Sequence, residues 1–344
     1  MPIAATSAPK SSPIWLGLLV LYVVWGSTYL GIAIAVDTIP PFLMAATRFL
    51  IAGLVLLAWS VAREGRSFRP PSAREWRDST IVGGLLLGGG MGMVAFGEQT
   101  VPSGITALFI AMMPVWVAIL GLIFLGERLP RLAVFGIVLG FAGVAILIGP
   151  SAFGGAGALE PLGLAAILFS PIAWSSGSLF ASHRATLPRR PLVATGAQMT
   201  AGSLVLLAMS VVSGELAGFG IEAISTDSLL AMVYLTLIGS LLAFTAFGWL
   251  LRVAPLPLVA TYAYVNPVVA VILGALVLRE PIEPRTLVAG AVIIVAVAVI
   301  VTARGRMTAP RARTARPERG VRGGAEATSR KTNRLPEGEV PEPG

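Results

Sequence analysis

Arg48 is the one lysine or arginine that falls inside an apolar segment long enough to span a membrane, and its charge is the first candidate for chemistry. It lies six residues after Phe42, which is about 9 Å along a helix at 1.5 Å per residue. A full charge at that depth is costly, so it is usually paired or functional. Glu98 is the expected partner, and a substrate carboxylate is the functional alternative. The third possibility is that the long side chain reaches the outer headgroups.

Two prolines inside apolar segments, Pro114 and Pro267, are the second candidate for chemistry. Each lacks a backbone N–H and disturbs the carbonyl four residues earlier, which leaves an acceptor that can face a cavity. With the aromatic and weakly polar residues expected around them, they predict a pocket that suits small amphipathic organic molecules better than metal ions or sugars. The alternative is that several aromatics serve in the interface belt or in helix packing. The further candidates for the lining are Trp25, Ser27, Thr106, Met113, Trp174, Gln198, Tyr262, Tyr264 and Asn266.

Several classes of site are excluded by residues that the sequence lacks. There is no cysteine, so thiolate metal sites and disulfides are ruled out. The only lysines are Lys10 and Lys331, and neither follows a glycine as the lysine of a P-loop does. No carboxylate pair stands at mid-membrane depth, which argues against an embedded hydrolase and a simple proton relay. We therefore predict no enzymatic activity, no cofactor and no metal site.

The composition predicts an all-α membrane protein. Of the 344 residues, 56% are hydrophobic and 12% are charged, whereas soluble domains carry about 25% charged residues. Ten apolar runs of about spanning length predict ten transmembrane helices. They lie at about 14–36, 42–61, 80–99, 104–125, 132–149, 162–181, 192–212, 229–250, 256–278 and 286–302.

The chain also contains an internal duplication. The stretch PVWVAILGLIFLGE at 114–127 recurs as PVVAVILGALVLRE at 267–280. WGSTYLG at 25–31 is echoed by WSSGSLF at 174–180, and RFLIAGLVLL at 48–57 by QMTAGSLVLL at 198–207, which sets Gln198 opposite Arg48. Each half holds five helices, and because five is odd the second half must enter the membrane inverted. The predicted division is an N-terminal tail (1–13), a first repeat (14–150), a second repeat (160–302) and a disordered C-terminal tail (303–344).

The basic residues act as topology signals. They alternate between successive loops, which places both termini in the cytoplasm. The net charge is +8, and ten of the 25 lysines and arginines lie in the last 41 residues, so the charge does not indicate nucleic-acid binding. We expect the tail to be solvated, with contact to anionic headgroups as the alternative.

Glycines at four-residue spacing form a smooth stripe in the third predicted helix, and a shorter stripe in the fifth. The third helix carries Gly84, Gly88 and Gly92, and the fifth carries Gly136 and Gly140. Such stripes let another helix backbone come close. They predict tight packing, or alternatively surfaces that slide when the halves move.

This ordered set of motifs resembles the EamA-domain family of the drug/metabolite transporter superfamily, and within it the YedA-type bacterial inner-membrane members. The resemblance covers residues 14–302 and includes WGSTYLGIAIAV, VPSGITALFIAMMPVWVAILGLIFLGERL and TYAYVNPVVAVILG. It implies ten helices in two inverted repeats and export of amino acids, metabolites or toxic organic compounds. It also implies a central cavity at Trp25, Arg48, Pro114, Trp174, Tyr264, Asn266 and Pro267.

We therefore expect a secondary transporter of the plasma membrane that exports small organic solutes by alternating access. Uptake through the same fold is the first alternative, and a membrane sensor or embedded enzyme is the second. The expected partners are the lipid bilayer and a small organic substrate, with the protein a monomer or homodimer and no nucleic acid bound.

Overall fold

The computed structural model of the protein describes residues 11–149, 160–254, 256–259 and 261–308. This part of the chain is helical and contains no strand, which confirms the predicted all-α class. Nine of its helices are long and apolar enough to cross a membrane, and Tyr262–Val277 is a shorter apolar helix. The ten helices are α1 Ser11–Ala35, α2 Pro41–Glu64, α3 Ala73–Gly97, α4 Ser103–Leu125, α5 Arg131–Ile148, α6 Pro161–His183, α7 Pro191–Val212, α8 Thr226–Phe247 continuing to Val253, α9 Tyr262–Val277 and α10 Pro284–Thr308.

The two predicted tails fall mostly outside the described residues. The helix α10 continues to Thr308, so residues 303–308 are helical, whereas the sequence predicts them to be part of the C-terminal tail. Residues 1–10 and 309–344 lie outside the description, and the predicted disorder of the C-terminal tail stays a prediction.

Three of the long helices depart from regular α-helix near their middle. The helix α3 is a π-helix over Gly84–Gly92, and α8 is a π-helix over Leu235–Leu242. The helix α4 is interrupted between its two parts, Ser103–Ile110 and Met113–Leu125, just before Pro114. A proline disturbs the carbonyl four residues earlier, and here that residue is Ile110, the last of the first part. Such departures often mark functional sites in membrane helices.

The most extensive helix contacts join counterparts from the two halves of the chain, α2 with α7 and α5 with α10. The contacts at their ends show that α2 and α7 run antiparallel. Glu215, just beyond the end of α7, accepts hydrogen bonds from backbone N–H groups in the first turn of α2. At the other end, Arg190 just before α7 forms an ion pair with Glu64, the last residue of α2. Residues from both halves thus share the same buried clusters.

The helices α5 and α10 are also antiparallel. Gly136 lies against Ala296 and Ile300, whereas Gly143, farther along α5, lies against the earlier residue Ile293. In each of the two pairs, α2 with α7 and α5 with α10, the helices therefore run in opposite directions.

Among the described glycines, Gly83 of α3 comes closest to the backbone of another helix, because a Cβ built on it would clash with the carbonyl oxygen of Gln198 on α7. A Cβ built on Gly83 would lie 2.9 Å from both Cα and N of Gly202. A Cβ on Gly84, by contrast, would meet only the side chain of Val205, at 3.6 Å or more. The predicted stripe therefore does pack tightly on α7, but its tightest point is one residue before the first glycine of the stripe.

Glu280 links the end of α9 to the start of α4 by hydrogen bonds. It follows α9, and its carboxylate accepts hydrogen bonds from the backbone N–H groups of Ser103 (2.7 Å) and Gly104 (3.1 Å). These groups belong to the first turn of α4, where backbone donors have no partner within the helix. The acidic residue that ends the repeated stretch is thus a helix cap for its counterpart helix.

Candidate functional site

A cavity of about 90 Å³ lies among helices of both halves. Its walls come from α1, α2, α3 and α4 of the first half and from α6, α8 and α9 of the second. Six of the predicted site residues line it: Trp25, Arg48, Met113, Trp174, Tyr262 and Asn266. Eight further residues complete the wall: Thr28, Tyr29, Met91, Val94, Ile110, Ser170, Pro171 and Phe244.

A second cavity of about 110 Å³ adjoins the first, and the two prolines of the duplicated stretch, Pro114 and Pro267, line it. Five residues line both cavities: Tyr29, Ile110, Met113, Tyr262 and Asn266. The interruption of α4 after Ile110 therefore stands at the shared wall, and the proline inside α9 directly follows Asn266, which belongs to that wall. The two cavities are therefore adjacent, and together they are called the central site.

Arg48 is buried, with 2% of its surface exposed, and its side chain is held by α8. Its Nε donates a hydrogen bond to the hydroxyl of Ser240 at 2.8 Å. Ser240 belongs to the π-helical part of α8, as does Gly239, whose lack of a side chain leaves room for Nη2. The expected pairing of Arg48 with Glu98 is wrong: no ion pair joins them in the described structure, because equal depth does not place two side chains on facing sides of their helices.

Besides the guanidinium, the tyrosine hydroxyls and the indole N–H groups, the wall has three further polar side chains, those of Asn266, Ser170 and Thr28. Asn266 is 7% exposed, and its Oδ1 has no hydrogen-bond partner among the described residues. Ser170 donates to the carbonyl oxygen of Gly90 at 3.0 Å, so its hydroxyl is already used. The hydroxyl of Thr28 donates to the carbonyl oxygen of Trp25 at 2.6 Å.

Five of the fourteen residues that line the first cavity are aromatic. The ring of Trp25 lies 5.0 Å from that of Tyr262, 5.5 Å from Phe244 and 5.1 Å from Phe247, between centroids. The first two contacts are edge to face, the arrangement that aromatic pairs favour. Trp174, which begins the sequence stretch that echoes the one at Trp25, also lines the cavity. The wall can therefore hold an apolar body, and Arg48 supplies its one charge.

The sequence profile of the EamA-like transporter family matches this chain twice, over residues 12–149 and 161–302. The chain belongs to this family. The predicted resemblance is thus confirmed: the protein is a multi-pass membrane transporter and not an enzyme.

Several relatives of this EamA-like transporter match most of its length. "Uncharacterized inner membrane transporter YedA" of Escherichia coli (strain K12) is 37% identical over 290 residues, 84% of this chain and 90% of YedA. Protein PecM of Dickeya dadantii (strain 3937) is 29% identical over 285 residues, 81% of this chain and 88% of PecM. A solved crystal structure shares the fold, with a TM-score of 0.58 and 23% identity over 87% of this chain and 99% of that one.

Five predicted site residues of this EamA-like transporter do not line either cavity. Ser27 points to α8, where its hydroxyl forms a hydrogen bond with the Tyr234 hydroxyl at 2.6 Å, and the next residue, Thr28, faces the cavity instead. The others outside the lining are Glu98, Thr106, Gln198 and Tyr264.

Among the residues that the sequence analysis missed, some carried a signal. Thr28 and Tyr29 belong to the WGSTYLG motif, and Pro171 is a proline inside an apolar helix, like Pro267. Phe244 had no such signal. In the described part of the chain, no cluster of three or more histidines and carboxylates could hold a metal ion.

Glu98 is buried, and neither of its carboxylate oxygens has a hydrogen-bond partner among the described residues. Replacing an unsatisfied buried polar group by an apolar one of similar shape is neutral or stabilising. We therefore expect Glu98→Met to leave the thermal midpoint of the solubilised transporter unchanged or to raise it.

Glu75→Met is the matched control for this substitution. Glu75 forms a capping box with Ser72 at the start of α3, so its loss should lower the free energy of unfolding by about 1 kcal/mol. A large drop in midpoint for Glu98→Met would contradict the prediction and indicate that the carboxyl group has a partner in the working protein.

Proposed function

We propose that the protein is a secondary transporter that exports small organic solutes by alternating access of two inverted five-helix repeats. The repeats are residues 14–150 and 160–302, and the central site lies between them. The observation that carries the proposal is the cavity, whose lining residues come from helices of both halves. Rocking one half against the other would open such a site to one side of the membrane at a time.

The antiparallel contacts of α2 with α7 and of α5 with α10 support the inversion, since counterparts in halves of equal orientation would run parallel. The matching of one family profile to both halves supports the duplication. The relative YedA is named as an inner-membrane transporter, which supports the same location here. With the alternating basic loops, we place both termini in the cytoplasm.

Labelling of single cysteines tests alternating access directly, because the natural sequence contains no cysteine. Ile110→Cys would place a thiol in the wall shared by both cavities. We expect a membrane-impermeant thiol reagent to reach it from either side, in intact cells and in inside-out vesicles. Ala133→Cys is the control. Ala133, on α5, is fully buried, so a cysteine at this position should be labelled from neither side.

Labelling of Ile110→Cys from one side only, under all conditions, would overturn alternating access. The direction of transport is measured separately. Solute accumulation inside inside-out vesicles indicates export, and accumulation in intact cells indicates uptake.

A further inference from the structure

Arg48 is a buried cation that has no anionic partner in the described structure. Its described hydrogen bond uses Nε, and the ion pairs of the described residues do not include it. Its nearest aromatic ring is that of Phe49, 4.8 Å from Cζ. The guanidinium has five N–H donors, of which only the one on Nε has a hydrogen-bond partner among the described residues, and Arg48 lines the cavity.

An unpaired charge at this depth is unfavourable, and an anion placed in the cavity would compensate it. A carboxylate matches the two terminal nitrogens of a guanidinium through two parallel hydrogen bonds. Ser240 holds Nε on the other edge of the group, which fixes the orientation of the remaining donors. The cavity is therefore built to accept an anionic oxygen pair at Arg48.

Asn266 provides an acceptor that a hydrogen-bond donor of the ligand could pair with. Its Oδ1 is a buried acceptor with no described partner, and it lines the same cavity and the adjoining one. A ligand that brings an N–H or O–H donor would satisfy it, and an unmade bond to such a group costs free energy. The aromatic rings around Trp25 offer an apolar surface for the body of the ligand.

We propose that the central site binds a small organic carboxylate that also carries a hydrogen-bond donor. The carboxylate pairs with Arg48, the donor group reaches Oδ1 of Asn266, and the apolar body lies against the aromatic wall. This inference rests on the proposed function, since the bound carboxylate is the solute that the transporter carries.

Binding to the full chain in detergent tests this proposal without requiring transport. Trp25 and Trp174 line the cavity, so their fluorescence reports on occupancy, and thermal unfolding gives a second readout. Three compounds with the same body isolate the two groups: 3-phenyllactate has both, 3-phenylpropionate lacks the donor, and 3-phenylpropane-1,2-diol lacks the carboxylate. The matching leucine-derived set, starting from 2-hydroxyisocaproate, repeats the comparison with a smaller body.

We expect the compound with both groups to bind most tightly and the one without the donor to bind about tenfold less tightly. The diol should not bind measurably. Arg48→Gln should weaken binding of the carboxylates about 30-fold or more, since it removes one partner of a buried charge pair. The control Arg63→Gln changes an exposed arginine at the end of the same helix and should bind as the natural protein does.

Asn266→Ala should leave the requirement for a carboxylate but abolish the preference for the compound with the donor. Arg48→Gln should not lower the thermal midpoint of the ligand-free protein, because it removes an uncompensated charge. A purely structural arginine would give the opposite pattern, with a lower midpoint and unchanged affinity in the molecules that remain folded.

The proposal is overturned if the diol binds as well as the carboxylates, if no compound binds, or if phosphate or chloride competes as strongly as the organic anions. The outcome is separate from that of the cysteine labelling. If the carboxylates bind but Ile110→Cys is labelled from one side only, the anion site stands and alternating access is rejected. If Ile110→Cys is labelled from both sides but no compound binds, alternating access stands and the anion site is rejected.

Discussion

Replacement of Gly83 by alanine is expected to lower the free energy of unfolding by about 2 kcal/mol, and replacement by valine to prevent accumulation of folded protein. The added Cβ would clash with the backbone carbonyl oxygen of Gln198 on α7 and would lie 2.9 Å from Cα and N of Gly202. Backbone in the middle of a helix cannot move aside as a flexible side chain can, so α3 and α7 must separate along their contact. The measurement is thermal unfolding of the solubilised protein together with its yield as a monodisperse species.

Gly84→Ala is the matched control for Gly83. It adds the same methyl group one residue later, where only the Val205 side chain lies at ordinary contact distance. Alanine is also the better helix former, so the midpoint should stay the same or rise. Equal losses at both positions would show that helix conformation, and not the close approach to Gly202, decides the outcome.

Replacement of Glu280 by alanine is expected to cost about 2 to 3 kcal/mol of stability. Its carboxylate accepts hydrogen bonds from two backbone N–H groups, and both donors belong to buried residues, Ser103 and Gly104. Bonds to a charged group are worth about 1.5 to 3 kcal/mol, and the stranded donors add a penalty. Glu280→Gln, which keeps an acceptor oxygen but loses the charge, should fall between the alanine variant and the natural protein. Chemical or thermal unfolding of the two variants measures the difference.

Glu283 provides the control in the same loop. It is exposed, and its ion pair with Arg285 at 3.1 Å lies near the surface. Such pairs contribute about 0 to 1 kcal/mol, so Glu283→Ala should change stability little. If Glu280→Ala were equally mild, the cap on α4 would not be a determinant of stability.

The helices could be predicted because burial of the backbone in a bilayer leaves few options other than apolar helices of a fixed length. The lining of the site was harder, because it depends on how far each helix is rotated about its axis. Ser27 and Thr28 are adjacent in the sequence, but only Thr28 lines the cavity. Hydrophobicity gives no help with rotation in helices that are apolar on every side.

The sequence also does not predict which side chains that are distant along the chain contact each other. The hydroxyl that accepts the hydrogen bond of Arg48 belongs to Ser240, and a single serine in an apolar segment is not distinctive. The π-helix that contains Ser240 has no evident sequence signal. Glu98 was the natural choice of partner because it carries the opposite charge near the same depth. The prolines are the more informative residues, since a proline changes the backbone wherever it stands, and Pro114 and Pro267 both line the second cavity.

The antiparallel contacts of α2 with α7 and of α5 with α10 also have an electrical consequence. Each helix carries about half a positive charge at its start and half a negative charge at its end. In the two antiparallel pairs these dipoles oppose each other, so a transmembrane voltage finds little net backbone dipole to act on. The voltage acts instead on full charges, at about 2.3 kcal/mol per charge and 100 mV. Any dependence of transport on voltage should therefore follow the charge of the solute and of the ions that move with it, and not the movement of these four helices.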